Sequence, residues 1–252
     1  MKDFKHPFLD KIYYNKVLHS TNKKAQQLIR NGTSAGNFLV SCNQQTGGIG
    51  RKDNYWYSPA GGLWFTAALY GLPLKSGFTI FTGICIHKAI LEHIKKDLKI
   101  EFETADLKIK WPNDIYWKNW KICGILSHYL ENWKYHLIGI GINTNIIAFP
   151  DYINNTATSL QNILKRELNN ELLLKRIFDH FSQDLPGFLD NEFDLDYYLK
   201  NSLLSGKEII LETDFAEYSG LAQGINKQGA LLLKLPSGMI QPFYAGTVIS
   251  WK

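Results

Sequence analysis

Two spacings of apolar residues alternate along the chain. "HSTNKKAQQLIRNG" places Ala25, Leu28 and Ile29 on one helical face, with Ser20 or Thr21 able to cap the first turn and Gly32 to end it. "NFLVSCNQQ" and "GGLWFTAALY" are dense apolar runs that predict strands, so the glycine-rich stretch between them is expected to connect two strands. Ile80, Ile84, Leu91, Ile94 and Leu98 return at helical intervals and predict a long helix over 79–98. "DLKIKWPNDIYW" alternates and then breaks at Pro112, a strand running into a turn. "WKICGILSHYL" and "WKYHLIGIGINTN" predict further strands, and "NNELLLKRIFDHFSQDL" a helix with Leu173, Ile177, Phe178 and Phe181 on one side.

After Asn201 the pattern changes. "GKEIILET", "EYSGLAQGIN", "KQGALLLKL" and "GMIQPFYAGTVIS" are short apolar strands separated by turn signals such as "NKQG" and "PSG". About fifty residues of consecutive short strands predict a small separate barrel. The expected organisation is α+β: a mixed sheet flanked by helices over residues 1–195, then the barrel over 196–252.

Composition narrows the class. At 45% hydrophobic and 20% charged residues, the chain has ample material for a core. A net charge of +5 without a Lys/Arg stripe argues against a nucleic-acid partner. The three cysteines, Cys42, Cys85 and Cys123, are far apart, and no CxxC or HExxH spacing occurs, which argues against a disulfide framework and a zinc site and suits a reducing compartment. The opening "MKDFKHPFLDK" lacks the apolar core of a signal peptide, and no run of about eighteen apolar residues occurs. The expected location is the cytoplasm, with no membrane partner.

Four stretches carry candidate chemistry. The glycine run beginning at Gln45 fails the context of a dinucleotide-binding loop, because a strand rather than a helix follows it. It is either a hairpin turn or an anion-binding loop. In the second case Gly47, Gly48 and Gly50 would take positive φ and turn amides toward the anion, Arg51 would supply a forked cation, and Trp56 a flat face for a base. In "KWPNDIYWKNWKICGIL", Lys110 and Lys121 flank a turn and are expected on neighbouring strands of a hairpin. A lysine within an apolar strand has a desolvation cost unless an anion meets it, and Asp114 could hold Mg²⁺ or shape the turn. "GIGINTN" suits a buried strand packed close to something else, with Asn143 at its end either a turn residue or a site residue. Ser20-Thr21 reads by default as a helix cap.

Taken together, "STN" at 20–22, "QTGGIGRKDNYWYSP" at 45–59, "KWPND" at 110–114, "KICGIL" at 121–126 and "GIGIN" at 139–143 resemble the biotin–protein ligase family, in order and over nearly the whole chain. The tail, with "GINKQGALLL" and "YAGTVIS", is similar to that family's C-terminal SH3-like domain. The resemblance implies a catalytic domain of the class II aminoacyl-tRNA synthetase and lipoate ligase type. It implies biotin and ATP as substrates, Mg²⁺ as cofactor, and a biotin carboxyl carrier protein as partner, whose lysine receives biotin from biotinyl-adenylate. Residue by residue, it places biotin near Ser20, Thr21, Asn22, Gln45, Gly48, Ile49, Gly50, Arg51, Lys121 and Gly124. It places the nucleotide near Arg51, Lys52, Trp56, Lys110, Asn113 and Asn143, and the metal at Asp114. Lys121 and Arg51 would be the catalytic cations.

The loop departs from the family pattern. Ile49 stands where an arginine is usual, and Asp53 and Asn54 stand where a glycine and a later arginine are usual. Two cations are lost and an anion gained, with Lys52 a partial replacement, so weaker retention of the adenylate is expected. The early position of Ser20–Asn22 leads to the expectation of a ligase without a DNA-binding domain. An octanoyltransferase of the same fold would need a nucleophilic cysteine, and Cys123, on a buried strand, is expected in the core. An exposed strand edge could support a homodimer.

Overall fold

The computed structural model describes residues 4–101 and 103–252, with the side chain of Asp53 also outside the description. In chain order, β1 (Lys11–Leu18), α1 (Thr21–Arg30), β2 (Phe38–Ile49), β3 (Tyr55–Ser58) and β4 (Leu63–Tyr70) lead to α2 (Phe78–Glu92), which continues as a wider turn through Asp97. Next come β5 (Leu107–Lys110), β6 (Asp114–Trp117), β7 (Trp120–Leu130), β8 (Tyr135–Ile142), α3 (Leu160–Leu164), α4 (Asn170–Leu189) and α5 (Leu195–Asn201). The chain ends in β9 (Glu208–Glu212), β10 (Glu217–Ile225), β11 (Leu231–Lys234), β12 (Ile240–Phe243) and β13 (Thr247–Trp251).

Among the described residues, eight strands make one mixed sheet in the order β1-β2-β4-β8-β7-β6-β5, with β3 folded back on β2. Only β1 and β2 run parallel; the helix between them, α1, is the crossover that a parallel pair requires. Ser20 caps it, its Oγ accepting from the Lys23 amide, and Gly32 follows at φ 61°.

Alternation along the strands assigns the two faces. Leu39, Phe65, Ala67, Ile138, Ile140 and Ile142 point into a large core with α2 and α4. Their neighbours Phe38, Val40, Ala68 and Leu137 meet Ala25, Leu28 and Ile29 of α1 on the other face. On that second face the next outward positions of β7 and β8 are Gly124, Gly139 and Gly141, and Gly124 lies directly opposite Gly141. The sheet is therefore bare beyond the end of α1, and this bare patch is the floor of the site.

The last five strands form an antiparallel sheet, β12-β11-β10-β9-β13. Its apolar face (Leu211, Leu231, Leu233, Phe243, Val248) shares one core with Ile80, Ile84, Ile109 and Trp111. The Trp111 indole N–H also donates to the Gly229 carbonyl at 3.0 Å. The C-terminal sheet is thus packed onto α2 and β5. Among the described residues no helix is long and apolar enough to cross a membrane.

Candidate active site

The bare patch opens into a cavity of about 350 Å³. At one end stands a buried chain of polar side chains with a defined direction. Thr66 Oγ1 donates to Thr21 Oγ1 at 2.9 Å. The Thr21 hydroxyl and amide both donate to Gln45 Oε1, at 3.1 and 2.8 Å. Gln45 Nε2 donates to Ser58 Oγ at 2.9 Å, and Ser58 donates to the Trp56 carbonyl at 3.0 Å. Ser20 and Asn22 line the same end; Asn22 Oδ1 is buried without a hydrogen-bond partner among the described residues. A buried polar atom in that state has a cost that a ligand donor would relieve.

The middle is covered by Trp56, which the β2–β3 pairing turns over the paired glycines. A Cβ at Gly124 would lie 2.9 Å from Trp56 Cζ3, and one at Gly141 would collide with Trp56 Nε1. That indole nitrogen is itself buried and unpartnered among the described residues.

The other end is charged. Lys121 Nζ lies 2.7 Å from Asp114 Oδ1 and 5.2 Å from the Trp56 ring centre. This ion pair is the contact Asp114 Oδ1 makes among the described residues. Among the described lining residues Asp114 is the only carboxylate, and no cluster of three His, Cys, Asp or Glu that could hold a metal occurs. Arg51 donates through Nη1 to Asn113 Oδ1 at 3.2 Å and through Nη2 to the Gly246 carbonyl at 2.9 Å. Asn113 Nδ2 donates to the Ile125 carbonyl at 2.8 Å, which holds its oxygen toward Arg51. Asn143, at the end of β8, spans the Thr158 and Lys121 carbonyls and ties segment 156–158 to β7.

The structure thus brings Ser20, Thr21, Asn22, Gln45, Ile49, Gly50, Arg51, Lys52, Trp56, Asn113, Asp114, Lys121, Gly124 and Asn143 to one cavity. Three expectations are corrected. First, Gly47 and Gly48 belong to β2 rather than to a loop, and Gly50 has φ −104°. The residue with left-handed backbone is Lys52, at φ 52°. The Gly47 and Gly50 amides donate to the His19 and Asn54 carbonyls at 2.8 and 2.7 Å, so these amides do not form an open anion nest. Gly48 lies outside the lining; a Cβ there would collide with the Trp56 carbonyl, so its role is to admit β3. Secondly, Lys110 and Lys121 are not on neighbouring strands, because β6 lies between β5 and β7. Thirdly, Lys110 does not reach the cavity. It is buried, with Nζ donating to the Val248 carbonyl at 3.1 Å. Burial draws its ammonium down to about 8, opposed by Asp114 and assisted by Lys121 and Arg51.

Lys52 lines the cavity, but its ammonium pairs with Glu212 at 3.3 Å, an exposed contact of little energetic weight. Of the family departures, Ile49 and Asn54 line the cavity, while the Asp53 side chain lies outside the described residues. Cys123 is fully buried, and burial pushes its thiol well up, which suits core and not nucleophile. Sequence reasoning missed Thr66 and Ser58, which look like ordinary strand residues, and Phe149, Tyr152 and Thr156, whose segment has no periodic pattern. Thr247 reaches the cavity from the C-terminal sheet, and nothing local in its sequence marks it.

Comparison with known proteins agrees with this geometry. The model of the Biotin/lipoate A/B protein ligase family matches residues 14–145, and that of the Biotin protein ligase C terminal domain matches 204–251. The bifunctional ligase/repressor BirA of Bacillus subtilis is 29% identical over 248 residues, covering 94% of this chain and 73% of that protein. The biotin–[acetyl-CoA-carboxylase] ligase of Paracoccus denitrificans is 28% identical over 87% of this chain and 92% of its own. Among solved structures, the biotin protein ligase of Aquifex aeolicus in complex with biotin and ATP superposes with a TM-score of 0.81 at 24% identity, covering 97% of this chain and 99% of that one.

Proposed function

Because the chain belongs to the Biotin/lipoate A/B protein ligase family, we propose that it is an ATP-dependent biotin–protein ligase. The observation that carries this reading is one cavity with a hydrogen-bonding end at Thr21 and Gln45, a flat glycine floor under Trp56, and a cationic end at Lys121 and Arg51. Biotin has the matching sequence of groups: a ureido ring, an apolar body and a carboxylate.

In the first step a biotin carboxylate oxygen attacks the α-phosphorus of ATP and pyrophosphate leaves. In the second the ε-amine of a carrier-protein lysine attacks the acyl carbon, an amide forms, and AMP leaves. Neither step needs a protein nucleophile. What the protein must do is hold two anions together and stabilise the charge that grows at phosphorus. Lys121 serves the carboxylate and α-phosphate, and Arg51 the phosphates, with Asn113 and Asn143 shaping that end. Trp56 covers the adenylate and limits water at a reactive anhydride. With the Gly47 and Gly50 amides committed within the protein, the Arg51 and Lys121 side chains carry much of the anion binding.

A bound Mg²⁺ would supply charge that offsets the phosphates, and Asp114 is the residue that would hold it. One carboxylate, Asp114, its Oδ1 already facing the Lys121 ammonium at 2.7 Å, would suit only a cation that takes most of its ligands from phosphate and water. We place the domain division at residues 195/196, the reaction in the cytoplasm beside ATP and the carrier, and a dimer contact, where one forms, on the open edge of β1.

The test is incubation with biotin, MgATP and a biotin carboxyl carrier domain, followed by intact-mass measurement. The carrier gains one biotinyl group, and ATP–pyrophosphate exchange responds to biotin but not to lipoate or octanoate. Exchange driven by lipoate alone would overturn the assignment.

A further inference from the structure

The "KWPND" lysine sits outside the cavity, yet its contacts lead back to it. Lys110 is 6% exposed, and its ammonium donates to the Val248 carbonyl at 3.1 Å. The same ammonium lies 4.7 Å from the Trp251 ring centre and 5.5 Å from that of Tyr116. The Tyr116 and Trp251 rings meet edge to face, at 5.9 Å and 85°. Val248 and Trp251 both belong to β13, whose first residue, Thr247, lines the cavity. The residue before it, Gly246, accepts the Arg51 guanidinium at 2.9 Å. One buried cation on the catalytic sheet therefore grips the strand that begins one residue after the carbonyl held by the phosphate-end arginine.

We infer that Lys110 is a positioning residue: it docks β13 of the C-terminal sheet on the catalytic sheet, so that Gly246 fixes the Arg51 guanidinium for the nucleotide, and it does not itself bind phosphate. The inference rests on the ligase reading for its kinetic part only. Geometry supports it in three ways. A charged hydrogen bond and a cation–π contact converge on one strand. The Arg51 fork is shared between Asn113 of the catalytic sheet and Gly246 of the other, so its direction depends on how the two sheets sit. Ion pairing elsewhere across this junction is weak, since the Lys52–Glu212 pair is exposed. The lowered pKa of Lys110 fits an ammonium kept from water by this docking.

The test uses the full chain with Lys110→Met, which keeps most of the volume and loses the charge, and Lys110→Arg, which keeps a donor and a cation. Hydrogen exchange is read on the ligand-free protein. Lys110→Met speeds exchange of amides 246–251 by about tenfold or more, the scale of one lost charged hydrogen bond and cation–π contact. Amides of β2 and β4 keep their rates, and Lys110→Arg restores protection. In biotin-dependent ATP–pyrophosphate exchange, Lys110→Met raises KM for ATP by about tenfold for a loss of that size, while biotin affinity stays within about twofold. Unchanged exchange over 246–251 in Lys110→Met overturns the inference, and a raised ATP KM in that case makes the lysine a direct phosphate ligand. If Lys110→Met does not fold, Trp251→Leu gives the same reading from the other partner: faster exchange over 246–251 supports docking, unchanged exchange refutes it. The exchange measurement needs no ligand. If the wild-type protein failed to activate biotin, the ligase reading would fall while the docking result still stood.

Discussion

Gly124→Ala separates the two jobs a floor glycine can have, letting the strand pack and letting a ligand lie flat. The added Cβ would sit 2.9 Å from Trp56 Cζ3, 3.1 Å from Cη2 and 3.4 Å from Lys121 Cε. Carbon–carbon contacts are comfortable at roughly 3.5–4.0 Å, so the indole has to withdraw by about 0.5–1 Å. Trp56 is only half-buried and can tilt, so the free protein loses little: about 1 kcal/mol of overpacking, or roughly 2–4 °C in Tm. A bound adenylate has less freedom, because it must meet Lys121, Arg51 and the floor at once. Overpacking against a fixed neighbour costs about 1–3 kcal/mol, and the middle of that range weakens binding roughly 30-fold. The assay is calorimetric titration with a non-hydrolysable biotinyl-adenylate analogue, alongside a melting curve. Wild-type affinity in Gly124→Ala would refute the floor assignment. A Tm loss far beyond a few degrees would show the glycine to be needed for the strand instead.

Further outcomes follow from the same geometry. Lys121→Met lowers biotin-dependent ATP–pyrophosphate exchange by about 10²–10³-fold, the scale for removing one cation from a developing oxyanion, with the melting temperature little changed. Thr66→Val removes the 2.9 Å donor to Thr21 and, at about 1 kcal/mol for one neutral hydrogen bond, weakens biotin binding roughly fivefold by calorimetry, while Thr66→Ser restores it. His87 is fully buried, and burial lowers its pKa from 6.5 to about 4, so between these values the unfolded chain binds the proton that the folded chain refuses. Stability at pH 7 is complete for this group, falls as pH drops through that window by about 3 kcal/mol, and levels off below it; denaturant melts from pH 7 to 4 measure the slope, which His87→Gln flattens.

Elements whose core residues keep one period are legible directly. α1 carries its cap at Ser20 and its stop at Gly32, and α4 carries Leu173, Ile177, Phe178 and Phe181 on one face, as observed. β3 is not legible, because four residues, Tyr55–Ser58, show no alternation and their partner is reached through a glycine pair inside β2. The last strand-like run, "GMIQPFYAGTVIS", divides into β12 and β13 at Gly246, whose φ of 148° only the fold exposes. Among site residues, most of those within the short motifs line one cavity, with Gly48 and Lys110 the exceptions. Those defined by distant partners are not legible in this way. Lys110 turns toward Val248, a residue 138 positions away, and Thr247 enters from another sheet. Sequence neighbourhood carries local geometry, while these placements depend on how two sheets dock.

The glycines show where pattern and physics part. A cluster of glycines invites a loop with positive φ and open amides. Here the cluster is mostly strand, and the one left-handed residue is a lysine. The physical use of these glycines is the absence of a side chain. Gly48 admits β3, and Gly124 and Gly141 admit the Trp56 ring. With the Gly47 and Gly50 amides already bonded, much of the site's affinity for anions comes from Arg51 and Lys121, long side chains whose heads are free to wander unless something holds them. Lys121 is held by Asp114 across β6 and β7, within one sheet. Arg51 is held from two sheets at once, by Asn113 and by Gly246. The two cations are thus preorganised by different means, and only the second depends on the C-terminal sheet. Loosening that sheet should therefore spare the lysine and disturb the arginine. Substitutions at the junction are expected to act on the nucleotide while leaving biotin bound as before.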